Sequence, residues 1–331
     1  MPKNKHILWI QLIGLIFLLN MISCGLFHEP EGPGAEPPTV STADIFAITD
    51  TSAQCGGNII SDGGAAIIAR GVCWCTAEKY LPNLSDSLTI DGTGNGSFTS
   101  SISGLIPGTT YVARAYATNG MGTSYGNGRT FSTLGKVTDL DGNVYQTIKI
   151  GSQWWMTENL KVTKYRNGDS ISYVFDSTEW FNLDSGAYCV HNNDSNNVSV
   201  FGILYNWYAI DDSRNIAPEG WHVPCNVEWN TLIDYLGGED VAGGKMKDTG
   251  FTYWISPNTG ATNSSGFTAL PGGLRFPYGS YYILGGHAHF WSSTELSNDE
   301  AYFRYIFFNS PHIMLTYWDK RFGFSIRCVK D

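Results

Sequence analysis

Between residues 39 and 134 the apolar positions fall in short runs, each closed by turn-forming residues. Residues 53–60 run into Ser61-Asp62-Gly63-Gly64, residues 98–102 precede Pro107-Gly108, and residues 111–118 stop at Asn119-Gly120. Asp-Gly and Asn-Gly pairs accept the positive φ that tight hairpins require. Further runs at 65–76, 89–90 and 128–133 bring the total to roughly six or seven strands, the rhythm of a β-sandwich. From 111 to 117 the period is two. Tyr111, Ala113, Ala115 and Ala117 share one face, and Val112, Arg114 and Tyr116 the other.

A short link at Leu134-Gly135-Lys136, which Gly135 is expected to keep free, leads to a second unit over residues 136–331. Asp141-Gly142 between two apolar segments predicts a hairpin. Asp139, Asp141 and Asn143 carry oxygen ligands, but their Gly comes fourth. An EF-hand loop needs Gly at the sixth position and Glu at the twelfth, so no metal is expected there. Trp229, Leu232, Ile233 and Leu236 recur at helical spacing behind a cap at Cys225 or Asn226, with Glu228 in the first turn and Gly237-Gly238 as the stop. Residues 250–299 break into polar turns and an aromatic cluster of Phe276, Tyr278, Tyr281 and Tyr282, with Glu295 and Asp299 beyond. An extended backbone sends Tyr281 and Tyr282 to opposite faces, leaving one of them free to stack.

The first residues carry an address. Lys3 and Lys5 precede an apolar stretch at 7–22, shorter than the ~20 residues that a spanning helix needs, so it reads as an export signal. It ends in Met21-Ile22-Ser23-Cys24-Gly25, which resembles a bacterial lipoprotein signal. That resemblance implies removal of residues 1–23 and acylation of Cys24, with the acyl chains as membrane anchor. Gly25 stands where an Asp retains many lipoproteins at the inner membrane, so the expectation is the outer membrane of a Gram-negative bacterium, with the protein at the cell surface. Residues 24–38 are rich in Pro, Gly and Glu and read as a solvated tether.

Charged residues are 15% of the 331, aromatics 14%, and glycines number 38, which again favours short strands and turns over long helices. The net charge of −10 excludes nucleic acid as the main partner.

Residues 105–119, with Pro107-Gly108 ahead of Tyr111, are similar to the E-to-F corner and F strand of a fibronectin type III-like domain, and Gly71-Val-Cys-Trp74 is similar to its C strand. In the second unit Tyr205-Asn-Trp-Tyr208, Gly220-Trp-His-Val-Pro224, Glu228-Trp229, Gly243-Gly-Lys-Met-Lys247, Phe290-Trp-Ser-Ser-Thr-Glu295 and Gly323-Phe-Ser-Ile-Arg-Cys-Val329 resemble the Fibrobacter succinogenes major paralogous domain family. Its layout also resembles the C-type-lectin-like fold shared with formylglycine-generating enzymes. The resemblances imply a multidomain chain: an all-β fibronectin type III-like sandwich at 39–134, then an α+β C-type-lectin-like domain at 136–331.

The enzymes of that fold bind copper through a pair of cysteines near the C-terminal end, whereas Cys328 stands alone in the last hundred residues here. The family commonly carries a Cys where this chain has Ala217, and the resemblance implies a bridge from that position to the terminal Arg-Cys. Cys328 paired with Cys189 or Cys225 are the options left open, and Cys55 could pair with Cys73 or Cys75. Cys189 with His191 and Cys225 with His222 are the thiol–imidazole pairs available to a nucleophile, but exported cysteines are more often oxidised or buried. His287 and His289 share a strand face without an identifiable third metal ligand.

The reading is therefore a non-catalytic, lipid-anchored surface protein that presents a lectin-like module to an extracellular glycan or protein, without metal or cofactor. Tyr278, Tyr281, Tyr282 and Glu295 are the expected ligand-binding residues, and most of the nine tryptophans of the second unit are expected in its core. A structural role in cell-surface assembly is the alternative, and an enzyme of unknown type the third.

Overall fold

The computed structural model describes residues 34–331. The signal at 1–23, Cys24 and the tether as far as residue 33 lie outside the described residues. Residues 34–38 are not a free tether. The Glu36 amide donates to the Gly63 carbonyl at 2.7 Å, its own carbonyl accepts from Asn119 Nδ2 at 2.7 Å, and Pro38 is buried. Backbone groups that dock on a sheet in this way leave no slack.

Eight strands build the first domain: β1 (Thr39–Thr42), β2 (Ser52–Ser61), β3 (Ala69–Thr76), β4 (Ser87–Leu88), β5 (Gly96–Ser103), β6 (Thr110–Asn119), β7 (Gly122–Tyr125) and β8 (Arg129–Ser132). One sheet has the order β1-β2-β5. The other runs β4-β3-β6-β7, with β8 also paired to β6. All pairings are antiparallel, and this order is that of a fibronectin type III-like sandwich. Tyr111, Ala113, Ala115 and Ala117 turn inward as the period of two predicts, onto Val72, Ile102, Ile59 and Phe131. The Tyr111 hydroxyl accepts a hydrogen bond from the Ile106 amide at 2.9 Å, which ties the corner before β6. The fourth strand is displaced from the expected 89–90 to Ser87–Leu88, because Leu88 pairs with Cys73 while Ile90 is left in solvent.

The link is the clearest departure. Gly135 opens β9 (Gly135–Thr138), is buried, and pairs with Thr147 of β10 (Val144–Ile150). A Cβ there would lie 2.5 Å from Thr147 Oγ1, so the glycine serves close packing instead of freedom. Asp141-Gly142 turns between β9 and β10 as expected, with Gly142 at φ +84° and Asp139 Oδ1 accepting from the amides of Asp141 and Asn143.

Three more strands complete the main sheet of the second domain: β11 (Gln153–Met156), β15 (Trp221–His222) and β21 (Val329–Lys330), in the order β15-β21-β11-β10-β9. The last strand thus lies between β15 and β11, which zips the end of the domain to its beginning. Between them come β12 (Ser172–Tyr173), β13 (Ala187–Cys189), β14 (Leu204–Tyr205), β16 (Leu274–Arg275), β17 (Tyr281–Tyr282) and a three-stranded sheet of β18 (His287–Glu295), β19 (Glu300–Phe307) and β20 (Ile313–Asp319). Three short helices, α1 (Ser177–Phe181), α2 (Val198–Phe201) and α3 (Tyr208–Asp211), lie in the first half.

The predicted helix is α4 (Asn226–Tyr235), and it buries Trp229, Leu232 and Ile233. Glu228 Oε2 accepts from the Cys225 amide at 2.9 Å, and Gly237 and Gly238, at φ +101° and +95°, end the helix and start α5 (Glu239–Met246).

The β18–β20 sheet divides the core. Ala288, Phe290, Ile306 and Ile313 face the α4 side with Trp155, Trp229 and Phe267, while Trp291 and Phe303 face Tyr145, Tyr205, Trp207, Phe324 and Cys328. Seven of the nine tryptophans are buried. Trp154 is half-buried and Trp318 is the exposed one, at 38%. No helix among the described residues is long and apolar enough to cross a membrane.

Candidate functional site

The antiparallel register of the three-stranded sheet places His287 opposite Phe307, His289 opposite Tyr305, Trp291 opposite Phe303, and Ala301 opposite Trp318. Opposed residues of an antiparallel pair share a face. His287, His289, Tyr305, Phe307 and Trp318 therefore stand together on the face away from α4. Leu274, Phe276 and Tyr282, from β16, β17 and the turn that joins them, stand over that face. The result is a cleft of about 160 Å³ with a mainly aromatic lining.

Its walls are layered rings. Trp318 lies 4.9 Å from Phe303 and 4.7 Å from Phe322, and Phe276 is 5.6 Å from Phe322. Tyr278 stacks on Phe276 at 4.9 Å with the planes 9° apart, continuing the aromatic surface outward. The two imidazoles, with centroids 5.5 Å apart, are the nitrogen-bearing rings beside Trp318. Burial pushes the His287 pKa down to about 4. Burial and then the neighbouring His287 push that of His289 down to about 3, so both are neutral near pH 7. His289 is 2% exposed and its Nδ1 has no hydrogen-bond partner.

The expected ligand-binding residues separate. Tyr282 lines the cleft and Tyr278 lies at its rim, 48% and 60% exposed. Tyr281 takes the inward face of its strand, donates to Asn193 Oδ1 at 2.7 Å and packs on His191 and Arg275. Glu295 forms an ion pair with Lys320 at the far end of β18, away from the cleft lining. Trp318, Tyr305 and Phe307 join the site from β19 and β20; the alternation of Phe303, Tyr305 and Phe307 on one face could find the two from β19, whereas Trp318 is brought in by the β19–β20 register.

The cysteines are not brought together. All six described cysteines are free thiols, in place of the expected bridges. Cys328 is sealed among Tyr145, Tyr205 and Trp291, Cys189 sits in a separate cluster with Val174, Trp180 and Leu204, and Cys225 caps α4. His222, the candidate partner of Cys225, has both ring nitrogens committed, to Glu228 at 2.7 Å and Asp331 at 2.6 Å. A second cavity of about 190 Å³ has a mixed lining, with Lys164, Arg166 and Glu219 beside Leu140, Val162 and Ile216. There Arg166 already donates to the carbonyls of Ala217, Pro218 and Trp221, and Lys164 pairs with Asp141. No group of three or more metal-ligating side chains occurs among the described residues.

Several motif residues prove structural. Lys247 is fully buried, and its ammonium donates to the carbonyls of Thr259, Phe307 and Ser310 at 2.8–3.0 Å. Beside it, Gly243 and Gly244 let the backbones of His312 and Gly260 approach to where a Cβ would be only 2.3 and 2.4 Å away. Trp291 donates its indole N–H to the Tyr205 carbonyl at 2.8 Å.

Residues 148–330 match the profile of the Fibrobacter succinogenes major domain. No curated protein matches the chain. Among solved structures, it is similar to the sensor domain of the anti-sigma factor RsgI4 of Pseudobacteroides cellulosolvens, at 17% identity and a TM-score of 0.24, over 30% of this chain and 97% of that one. It is also similar to the third fibronectin III domain of the human KIAA0343 protein, at 16% identity and a TM-score of 0.24, over 33% and 93% respectively.

Proposed function

The chain belongs to the Fibrobacter succinogenes major domain family, and on that premise we propose that it is a non-catalytic surface protein whose second domain binds a glycan or protein in the β18–β20 cleft. The observation that carries this reading is the cleft itself. An open aromatic pocket, with Trp318 and Tyr282 left partly in water, is surface that folding alone would bury. The C-type-lectin-like reading of the domain is supported by the pairing of β21 with β11 and by α4 packed beside that sheet. In this reading the first domain is a spacer, and acyl chains on Cys24 hold the protein at the outer membrane.

The test is a glycan and protein array probed with the full chain and with Trp318→Ala. The proposal expects a hit that the variant loses while it still folds and melts cooperatively, within a few degrees of the parent chain. Hits that survive Trp318→Ala place binding elsewhere, and an array without hits favours a structural role at the cell surface. For the anchor, Cys24→Ala should leave the precursor uncleaved or release the protein from the membrane fraction. Membrane retention with normal processing would refute it.

A further inference from the structure

Resting on that reading of the cleft, we infer that its ligand is a single uncharged pyranose ring, terminal or free, and that acidic sugars are discriminated against. Three features of the lining lead there.

The first is charge. None of the eight lining residues is an acid, a lysine or an arginine, and the two imidazoles are neutral at physiological pH. The cations nearest in sequence are already engaged. Lys320 pairs with Glu295 over the Trp207 ring, Arg321 pairs with Asp319, and Arg275 donates to the carbonyls of Gly279, Val174, Phe175 and Asp176. A carboxylate entering the cleft would give up water and meet no partner.

The second is hydrogen bonding. His287 is partly exposed in the cleft lining, and among the described residues its ring enters no hydrogen bond, whereas His289 lies buried behind it. A neutral imidazole offers one donor and one acceptor. A sugar hydroxyl is both donor and acceptor and can serve the His287 ring, whereas a purely aliphatic guest would leave that ring unsatisfied. The aromatic walls match the C–H face of the same ring, which stacks without charge.

The third is size. At about 160 Å³ the cleft holds about five waters at ~30 Å³ each, which suits one ring, with any further residue of a chain lying outside it. The Phe276–Tyr278 stack at the rim would support the next residue of a glycan.

Saturation-transfer NMR on the full chain tests this with methyl glucopyranoside and methyl galactopyranoside against their uronic-acid counterparts at pH 7. At least one neutral glycoside is expected to bind, with its uronate at least tenfold weaker. His287→Phe should weaken the neutral glycoside about tenfold, and His287→Asn, which keeps a donor and an acceptor, should weaken it less. Trp318→Ala, which removes a partly exposed ring from the cleft wall, should abolish binding while the chain still unfolds cooperatively. A uronate that binds as well as the neutral sugar, or neutral binding unaffected by His287→Phe, overturns the inference. If no glycoside binds but an array ligand depends on Trp318, the ligand class is wrong and the cleft reading stands. If array binding ignores Trp318, the cleft reading itself falls.

Discussion

Arg327 and Asn159 are joined deep in the second domain, with Nε of the arginine donating to Oδ1 of the asparagine at 2.7 Å. Arg327 is fully buried and also donates to the carbonyls of Met156, Phe267 and Thr268, while its guanidinium lies 4.6 Å over the Phe267 ring. Asn159 in turn donates to the Phe201 carbonyl and Ser325 Oγ. The pair locks the segment after β11 to the last residues of the chain. Among the described residues every hydrogen-bond acceptor of the guanidinium is neutral, and burial pulls its pKa down to about 9 against the opposing charge of Glu158.

Arg327→Lys should therefore be costly although it conserves charge, because an ammonium cannot span the acceptors of a planar fork. Bonds to a charged group contribute ~1.5–3 kcal/mol each, so losing one or two predicts about 3 kcal/mol in a denaturant melt. A loss below ~1 kcal/mol would mean that other groups replace the fork.

Trp291 and Trp318 should answer oppositely to truncation. Trp291 is fully buried in the core behind the cleft, so Trp291→Ala should destabilise by ~3–5 kcal/mol. Trp318→Ala removes a ring that is only partly buried and should cost clearly less, ~1–2 kcal/mol by thermal unfolding, while binding is lost. Equal losses of stability would make the cleft a piece of core.

Stability should fall in mild acid. His287 and His289 titrate near 6.5 when unfolded and at about 4 and about 3 when folded, so between those values the unfolded chain binds more protons. Their contribution is present above about pH 6.5 and is lost as the pH falls through about 4 and 3. His191, also depressed by burial, acts in the same direction. His222 opposes them, since Asp331 and Glu228 outweigh its burial and raise its pKa; its contribution is complete below the unfolded value and lost as the pH rises. Unfolding of His289→Phe from pH 7 to 4 should show a slope smaller by about one proton, and an unchanged slope would rule out this assignment.

Tyr111→Phe tests the corner of the first domain. Removing the hydroxyl that accepts from the Ile106 amide should cost about 1 kcal/mol, detected as earlier unfolding of the sandwich. No change would mean that water serves the Ile106 amide equally well.

Much of the fold was legible because it rests on neighbours in sequence. The two-residue period at 111–117, the spacing of Trp229, Leu232, Ile233 and Leu236, and the Asp141-Gly142 turn depend on φ/ψ preferences and on which side of one element is apolar. The opposite facing of Tyr281 and Tyr282 belongs to the same class, although the period alone could not say which of them turns inward.

The sequence by itself determined the strands and turns of the sandwich, the main helix and the family of the second domain. Tertiary structure alone decided the rest. The cleft joins Phe276 and Tyr282 to Trp318 through the register of β18, β19 and β20, and that register is a long-range choice. Gly135, which reads as a flexible link, is fixed by the approach of Thr147, and Cys189 and Cys328 are parted by the clusters that bury them. The physical reason is common to all three. Local periodicity specifies which face of an element is apolar, whereas what that face meets depends on packing between segments far apart in the chain.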